Sequence, residues 1–317
     1  MPVTRSSGNA MRQVLFYRSR GGGLICGYRW LPDEAPRAVV QLVHGIADHA
    51  SRYEEFAEFL NRRGFLVVAQ DHMGHGDSIT EESPQGYWKG GWFSGVDDTY
   101  QLYLDTRKKY PDLPYVLFGH SMGSFVVRSI LARYPDSGIS AAVICGTAWM
   151  NPVVLRGGRL TADLVCRKEG VKHYSALLQK LMFGTYNARI PDPRTENDWI
   201  SSDPAHVDAY NADPLCGFVP TAGLVRDMLD GVIDIQRDST LAAMRKDLPV
   251  LFIAGGDDPV GGYGKGVEQT ADEFTKAGMV RVSTRIYPGG RHEILGETNK
   301  EEVFSDVANW IKSVLTD

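Results

Sequence analysis

Apolar segments alternate with segments of helical periodicity along most of the chain, and this alternation limits the folds that the chain can adopt. Near-continuous apolar stretches are typical of strands buried on both faces of a sheet, and they occupy residues 38–43, 65–69, 115–118, 141–145 and 250–254. Between them, apolar residues recur at the spacing of an amphipathic helix. The order strand, helix, strand predicts a parallel sheet with crossover helices. Residues 14–17 and 24–30 flank three glycines and predict a hairpin that precedes this sheet.

A long insertion separates two of the predicted strands. About a hundred residues lie between 141–145 and 250–254, and the middle of this stretch, 172–186, places its apolar residues on one helical face. We therefore expect a helical cap over the sheet. The predicted organisation is a flexible arm at 1–12, a first core segment at 13–148, the cap at 149–246 and a second core segment at 247–317.

Composition and charge exclude several classes of protein. The 34 basic and 39 acidic residues give a net charge of −5, so the chain lacks the basic excess of a nucleic-acid-binding protein. The four cysteines are far apart and form no C-x-x-C pair, so their spacing predicts neither a zinc knuckle nor a disulfide framework. The first residues are polar, and no apolar run reaches the roughly 18 residues that cross a bilayer. We expect a cytoplasmic protein without a transmembrane segment or a nucleic-acid partner.

Gly119–Gly123 has the pattern G-x-S-x-G between a predicted strand and a predicted helix, which is the context of a nucleophile elbow. Such a turn holds the serine in a strained backbone conformation, and the neighbouring chain leaves no room for side chains two residues to either side. An ordinary strand-to-helix turn is the alternative interpretation of so short a motif. The pattern predicts that Ser121 is a nucleophile at the carboxyl edge of the sheet.

A serine hydroxyl needs a base to take its proton, and the base needs an orienting carboxylate. Strand 250–254 leads into Asp257 and Asp258, and the last predicted strand, 280–287, leads into His292. Of the eight histidines, His292 is the one that follows both the acidic pair and the last strand. Adjacent residues of an extended segment point in opposite directions. We favour Asp258 as the orienting acid, with Asp257 as the alternative.

Acyl transfer also needs donors for the negative oxygen that forms on the substrate. The backbone N–H of Met122 lies at the start of the helix that follows Ser121, where the positive end of the helix dipole is directed at the reacting carbonyl. We expect the second donor in the loop after strand 38–43, at the backbone N–H of Ile46. Because both donors are main-chain groups, the side chains at these positions carry no information.

From about Val14 to the C-terminus, the chain resembles the monoacylglycerol lipase and lysophospholipase branch of the α/β-hydrolase superfamily. The resemblance rests on the motifs HGIADHASRY, DHMGHGDS, GHSMG, DPV and GRHE, at residues 44–53, 71–78, 119–123, 258–260 and 290–293. It implies an α/β fold of the α/β-hydrolase type. This fold has a mostly parallel eight-stranded sheet, flanking helices and an inserted helical cap.

The resemblance also implies roles for individual residues. Ser121 is then the nucleophile, His292 the base, Asp258 the orienting acid, and Ile46 and Met122 the oxyanion donors. A hydrolase of this kind transfers the acyl group to Ser121 and then to water, and it needs no cofactor and no metal ion.

Two histidines in the segment 71–78 stand three residues apart between aspartates, a pattern that also occurs in metal sites. Gly74 and Gly76 suit a tight loop, and the resembled family uses this segment structurally. We therefore expect His72 and His75 to form hydrogen bonds with the loop backbone.

The resemblance favours a small-molecule ester as substrate, specifically a single-chain lipid such as a monoacylglycerol or a lysophospholipid. The cap residues that could line an apolar tunnel for the acyl chain are Trp149, Leu177, Leu178, Leu181 and Phe218. The same residues could instead pack the cap against the sheet. A lipid substrate would imply peripheral membrane contact through the cap. The alternatives are a short-chain carboxylesterase, an aminopeptidase-like hydrolase and a ligand sensor that keeps the triad without turnover.

Overall fold

The computed structural model describes residues 3–5 and 11–316. Within these residues, nine strands form one sheet in the order β1-β2-β3-β5-β4-β6-β7-β8-β9. The strands are β1 Val3–Arg5, β2 Met11–Arg18, β3 Leu24–Leu31, β4 Ala38–Val43, β5 Phe65–Gln70, β6 Tyr115–His120, β7 Ala141–Cys145, β8 Val250–Gly255 and β9 Val282–Tyr287. Strands β1, β2, β3 and β5 pair antiparallel, whereas β5, β4 and β6 to β9 form a parallel block.

The described part of the chain also contains ten α-helices, which lie between the strands and after the last of them. They are α1 Glu54–Asn61, α2 Gly91–Lys109, α3 Met122–Arg133, α4 Pro152–Glu169, α5 Ala176–Phe183, α6 Pro204–Ala212, α7 Ala222–Ile235, α8 Asp238–Ala243, α9 Lys265–Lys276 and α10 Lys300–Thr316. None of these helices has both the length and the apolar composition that a membrane-spanning helix needs.

Helices cover both faces of the sheet, so the central strands are buried on each side. In β4, Val39 and Val43 pack into an apolar cluster with α2, α3 and α9, while Val40 and Leu42 pack into a second cluster with α1 and α10. Adjacent residues of a strand face opposite sides of the sheet. This is why all six residues of β4 are buried and why its sequence reads as a continuous apolar run.

The sheet agrees with the α/β-hydrolase fold expected from the sequence, and strands β2 to β9 account for its eight strands. Residues 1–2 and 6–10 of the expected flexible arm, 1–12, lie outside the described residues. Within the described part of the arm, Val3–Arg5 forms an additional edge strand on β2, and β2 itself begins at Met11. A three-residue strand is too short for an alternating pattern to be recognised in the sequence.

The insertion after β7 folds as helices α4 to α8, together with a short 3₁₀ turn at Asp198–Ile200. Helix α7 joins this cap to the rest of the molecule, because it contacts α4 within the cap and α2 and α3 in the core. Trp92 of α2 lies so close to α7 that a Cβ atom on Gly231 would stand 2.1 Å from its ring. The cap therefore rests on the helices that flank Ser121.

Candidate active site

Ser121 occupies the sharp turn between β6 and α3. Its backbone has φ 53° and ψ −121°, a conformation that non-glycine residues rarely adopt. The chain around it is tightly packed: a Cβ atom on Gly119 would lie 2.4 Å from the carbonyl oxygen of Gly123, and one on Gly123 would lie 2.0 Å from that of Val43. Glycine is therefore required on both sides of the serine, as the motif predicts. The turn presents the Ser121 hydroxyl at the carboxyl edge of the sheet.

A continuous hydrogen-bonded chain links Ser121 to an imidazole and a carboxylate. His292 Nε2 lies 2.8 Å from Ser121 Oγ, and His292 Nδ1 lies 3.0 Å from each carboxylate oxygen of Asp258. Asp258 is fully buried in the turn after β8, whereas Asp257 is exposed. Of the two aspartates considered from the sequence, Asp258 is the one in contact with the imidazole.

The environment of His292 determines its protonation. Burial alone would lower the pKa of His292, but the Asp258 carboxylate against Nδ1 stabilises the imidazolium and raises the pKa above its ordinary value. The same contact places the proton of the neutral ring on Nδ1. Nε2 is then free to accept the proton of Ser121.

The raised pKa of His292 predicts the acid limb of the pH profile. His292 must be neutral to accept a proton, so activity should fall as the pH drops through a midpoint above the ordinary imidazole value of about 6.5. The measurement is kcat against pH with an activated ester as substrate. A rate that stays constant down to about pH 5 would contradict this assignment of the base.

The two predicted oxyanion donors lie beside Ser121. Ile46 and Met122 both line the cavity into which the serine opens. Met122 is the first residue of α3, so its N–H has no acceptor within the helix. The other loop is close as well, because a Cβ atom on Gly45 would lie 3.1 Å from that of Ser121. Ala47, which follows Ile46, has a φ of 52°, and its carbonyl accepts a hydrogen bond from the N–H of Gly217 in the cap at 3.0 Å.

A buried charged network lies under the loops that carry Ile46 and His292. Arg52 donates two hydrogen bonds to Glu293, at 3.0 and 2.7 Å, and a third to Asp48 at 2.8 Å. Burial alone would raise the pKa of both carboxyls, but the Arg52 guanidinium holds both pKa values below their usual range. Glu293 also contacts His206 of α6. The network therefore connects the cap with the loop that carries Ile46 and the loop that carries His292. We call these two loops the oxyanion loop and the base loop.

Replacing Arg52 by Ala should destabilise the protein by about 3–5 kcal/mol, because the buried carboxylates of Asp48 and Glu293 would lose the guanidinium that they share. Arg159→Ala is the matched control. Of its two partners, Asp230 is half exposed and Asp163 keeps its ion pair with Arg167, so the expected loss is about 0–1 kcal/mol. Urea unfolding of both variants gives the comparison. Equal stability losses would show that burial of the Arg52 network has no energetic consequence.

Cap residues hold the base loop from above. The backbone N–H of Glu293 donates to the carbonyl of Ile200 at 2.6 Å, and the ring of Trp199 lies 5.1 Å from that of His292. On the other side, His120 Nε2 lies 3.2 Å from the carbonyl oxygen of His292. Burial lowers the pKa of His120 to about 4, so this ring is neutral near pH 7. His292 is thus fixed from two directions.

The Ser121 hydroxyl opens into a cavity of about 790 Å³ between the sheet and the cap. This volume lies within the range of about 300–1,000 Å³ that is usual for small-molecule sites. Most of the lining side chains are apolar, and they include Phe125, Met150, Leu155, Leu178, Leu181, Phe183, Trp199, Phe218, Val225, Met228, Leu229 and Val232. A polar stretch at Thr185, Asn187, Glu196 and Asn197 also borders the cavity.

Three of the five cap residues predicted to line a tunnel do so: Leu178, Leu181 and Phe218. Trp149 and Leu177 do not. Trp149 packs on the core, with its ring 5.9 Å from the guanidinium carbon of Arg128. Leu177 is 55% exposed, because it lies on the outer side of α5 while Leu178 faces inward.

Sequence reasoning missed Trp199 and the cavity-facing side of α7, represented by Met228 and Leu229. Helix α7 has a clear apolar stripe in the sequence. That stripe indicates a buried face, but it does not distinguish contact with the sheet from contact with a cavity. No sequence pattern indicates that Trp199 belongs to the site, because the residue that it contacts there, His292, is far away in the chain.

Both histidines of segment 71–78 contact backbone carbonyls: His75 contacts its own loop, as expected, whereas His72 reaches the neighbouring loop that follows β4. His72 Nε2 lies 3.3 Å from the carbonyl oxygen of His44, and His75 Nδ1 lies 3.0 Å from that of Met73. Burial lowers the pKa of His75 to about 4 and also lowers the pKa of His72, so both rings are neutral. These contacts give the segment a structural role.

Comparison with known proteins places this geometry in context. The model of one protein family, described as serine aminopeptidase, S33, matches residues 34–299. A monoacylglycerol lipase of Mycolicibacterium smegmatis is 33% identical over 308 residues, which cover 93% of this chain and 95% of the relative.

Solved structures agree with the fold. A thermostable carboxyl esterase from Bacillus coagulans, in complex with glycerol, is 30% identical with a TM-score of 0.89, and the match covers 96% of this chain and 98% of the esterase. A soluble variant of monoglyceride lipase from Saccharomyces cerevisiae is 18% identical with a TM-score of 0.78, and the match covers 99% and 98%. At 18% identity, the similarity to the yeast lipase shows a shared fold only.

Proposed function

Because the chain belongs to the serine aminopeptidase S33 family and is a serine ester hydrolase, we propose that it cleaves single-chain lipid esters such as monoacylglycerols through Ser121, His292 and Asp258. The observation that carries the proposal is the hydrogen-bonded chain from Asp258 through His292 to Ser121, which opens into a largely apolar cavity. Relatives with the names monoacylglycerol lipase and carboxyl esterase support the same chemistry.

In the first half of the proposed reaction, Ser121 Oγ attacks the ester carbonyl while His292 Nε2 takes its proton. The negative oxygen is stabilised by the backbone N–H groups of Ile46 and Met122. The carbon–oxygen bond to the alcohol then breaks, and His292 gives its proton to the leaving alkoxide. Asp258 stabilises the imidazolium throughout this half-reaction.

In the second half, water attacks the acyl group on Ser121. His292 takes a proton from the water and returns it to Ser121 Oγ as the acyl bond breaks. The products are a carboxylic acid and the free enzyme. In both halves, His292 carries each proton between the reacting oxygens, and the protein groups named above supply the stabilising contacts.

The apolar lining of the cavity favours an acyl chain over a peptide as the bound group. The apolar lining extends from Ser121 along α7 and α4, where Leu155, Met228 and Leu229 offer contact to a hydrocarbon. An aminopeptidase would need a carboxylate that pairs with the substrate's amino group. Glu196 is an acidic side chain at the cavity edge and is the candidate for such a carboxylate. An aminoacyl substrate therefore belongs among the substrates to be tested.

The test is a set of kcat/KM values for the full-length protein with monoacylglycerols, a lysophospholipid, nitrophenyl esters of increasing chain length and an aminoacyl nitroanilide. We expect kcat/KM to rise with acyl length, because each buried CH₂ contributes about 0.8 kcal/mol. Activity confined to short esters would refute the lipid substrate, and preferential cleavage of the nitroanilide would favour the peptidase. Labelling by a fluorophosphonate without turnover of any substrate would favour the ligand sensor.

We also propose that the cap touches the lipid surface from which the substrate comes. Val153, Leu160 and Leu164 are exposed and share one face of α4, and Leu177 and Leu181 are exposed on α5. Leu181 also lines the cavity, so this apolar face is continuous with the path to Ser121. A bilayer fits such a face because it would bury these side chains without requiring a specific partner.

Sedimentation with phosphatidylcholine and phosphatidylglycerol vesicles tests this contact. Leu160→Ser with Leu164→Ser should weaken vesicle binding and slow hydrolysis of vesicle-borne monoacylglycerol, while hydrolysis of a soluble ester stays unchanged. Val280→Ser is the matched control, because Val280 is 77% exposed and lies outside the cap. Equal binding by all three proteins would refute the membrane contact.

A cytoplasmic location completes the proposal. All four cysteines are free and buried, as suits a reducing compartment. Fractionation of the source cells would test this, and recovery of the protein from an oxidising compartment would contradict it.

A further inference from the structure

Three metal-ligating side chains come together where the cap meets the oxyanion loop, outside the Ser121 site. They are His49, Asp213 and Cys216, and one ligand atom of each lies within 4.8 Å of the other two. His49 Nε2 is 2.9 Å from Asp213 Oδ2. His49 and Cys216 are buried and Asp213 is half-buried, so water can reach the cluster from the aspartate side.

The backbone around the cluster is already ordered. Asp213 Oδ1 accepts a hydrogen bond from the N–H of Leu215 at 2.8 Å, which leaves Oδ2 directed at His49. The N–H of Cys216 donates to the carbonyl of Asp213 at 3.0 Å, and the N–H of Gly217 donates to the carbonyl of Ala47 at 3.0 Å. The two segments that carry the ligands are thereby tied together, and little ordering entropy remains to oppose metal binding.

The surrounding charges favour a cation. Asp48 and Glu293 lie close enough to act electrostatically on the Cys216 thiol. Arg52 also acts on this thiol, with the opposite sign, but the carboxylates of Asp48, Asp213 and Glu293 outnumber its single positive charge. Burial, followed by the proximity of Asp48, raises the pKa of the Cys216 thiol. The thiol is therefore protonated without metal and is not a free thiolate nucleophile.

A second cluster in the described part of the chain, Cys26 with Asp71 and Asp77, offers an internal comparison. Asp71 Oδ1 accepts from the N–H of Ala50, and Oδ2 accepts from the N–H of Asp77 and from the Tyr28 hydroxyl. These oxygens are occupied by groups that hold the loop together. Asp213 Oδ2, in contrast, has His49 as its hydrogen-bond partner, which is itself a ligand.

We propose that His49, Asp213 and Cys216 bind one Zn²⁺ ion that ties the cap to the oxyanion loop. A nitrogen, an oxygen and a sulfur ligand with water in the fourth position match the tetrahedral preference of zinc. On binding, Zn²⁺ replaces the proton of the Cys216 thiol, which is released to solvent. The proton of the His49–Asp213 hydrogen bond also leaves Nε2 by exchange with solvent, and the neutral ring then carries its proton on Nδ1. Nε2 and Asp213 Oδ2 are thereby free to bond to the metal. His49 and Asp213 are 164 positions apart in the sequence, so no motif with short ligand spacing could reveal this set.

Co²⁺ is the probe for the first experiment, because a cobalt–thiolate bond gives a charge-transfer band and a tetrahedral site gives intense visible bands. The full-length protein should bind one Co²⁺, and Zn²⁺ should displace it and raise the Tm in a concentration-dependent manner. Cys216→Ser should abolish the charge-transfer band. It should weaken Zn²⁺ binding by more than the roughly 10- to 100-fold that loss of an outer partner costs.

Cys166→Ser is the matched control, since Cys166 is also a free, buried cap cysteine but has no place in either cluster. It should leave Co²⁺ and Zn²⁺ binding unchanged. His49→Gln is a second variant, which should weaken binding while retaining the thiol, in case Cys216→Ser does not fold. A wild-type protein without a charge-transfer band, or equal Zn²⁺ affinity in the wild type and both site variants, would overturn the proposal. Metal binding is read directly, so the result is independent of whether the protein hydrolyses lipid esters.

Discussion

Replacing Ser121 by Ala should lower kcat for ester hydrolysis by about a millionfold, to the residual rate that binding and the oxyanion donors can support. In the proposed reaction the Ser121 hydroxyl forms the acyl-enzyme, and His292 cannot substitute for it. The substitution removes one oxygen from a half-buried position and leaves the turn between β6 and α3 in place. The measurement is kcat with a nitrophenyl ester, together with labelling by a fluorophosphonate.

Ser313→Ala is the control for this experiment, because Ser313 is an exposed serine on α10, remote from the cavity. The wild type and Ser313→Ala should both be labelled and fully active, whereas Ser121→Ala should be neither. Ser121→Ala should still bind substrate with a similar Kd. A Ser121→Ala protein that keeps even one-hundredth of the activity would show that another residue is the nucleophile.

The second large effect is expected from Asp258→Asn, with a loss in kcat of about ten thousandfold. An amide at this position no longer stabilises the imidazolium, and it can donate to Nδ1 and thereby hold the proton of His292 on Nε2, the wrong nitrogen for accepting from Ser121. Both Asp258 oxygens lie 3.0 Å from Nδ1, so the exchange from carboxylate to amide acts directly on the ring.

Asp257→Asn provides a matched control one residue away. Asp257 is exposed, so its loss should leave kcat within about twofold of the wild type, as for most surface substitutions. The residual activity of Asp258→Asn should also have its acid limb at lower pH, because the group that raises the pKa of His292 is gone. Similar losses in the two variants would mean that the two aspartates were assigned wrongly.

The core of the site was predictable from the sequence because each part follows a buried strand. Ser121 comes after β6, Asp258 after β8 and His292 after β9, and parallel strands bring their carboxyl ends to one edge of the sheet. Strand alternation indicates that Asp257 and Asp258 point in opposite directions but does not tell which of them faces the imidazole. The contact of Asp258 with His292 Nδ1 distinguishes the two. The local sequence pattern and the topology of the fold together are enough to predict that Ser121, an aspartate of the pair 257–258, and His292 lie close together.

The cap was less predictable for a physical reason. Its residues are apolar whether they face the cavity, the core or solvent, so Trp149, Leu177 and Leu178 look equivalent in the sequence and occupy three different environments in the structure. The edge strand β1 was missed because three residues are too few for a periodicity. The contacts of Arg52 with Glu293 join residues 241 positions apart, and no local rule reports such a pair.

The cap supplies backbone and hydroxyl contacts to the loops that carry Ile46 and His292, and this has a consequence for how such proteins diverge. Gly217 and Tyr210 hold the carbonyl of Ala47, and Ile200 holds the N–H of Glu293. A cap transplanted from a relative would bring its own versions of these contacts and would shift the oxyanion and base loops along with the substrate pocket. Substrate range and catalytic rate are therefore inherited together in this architecture, and selection on one will leave its mark on the other.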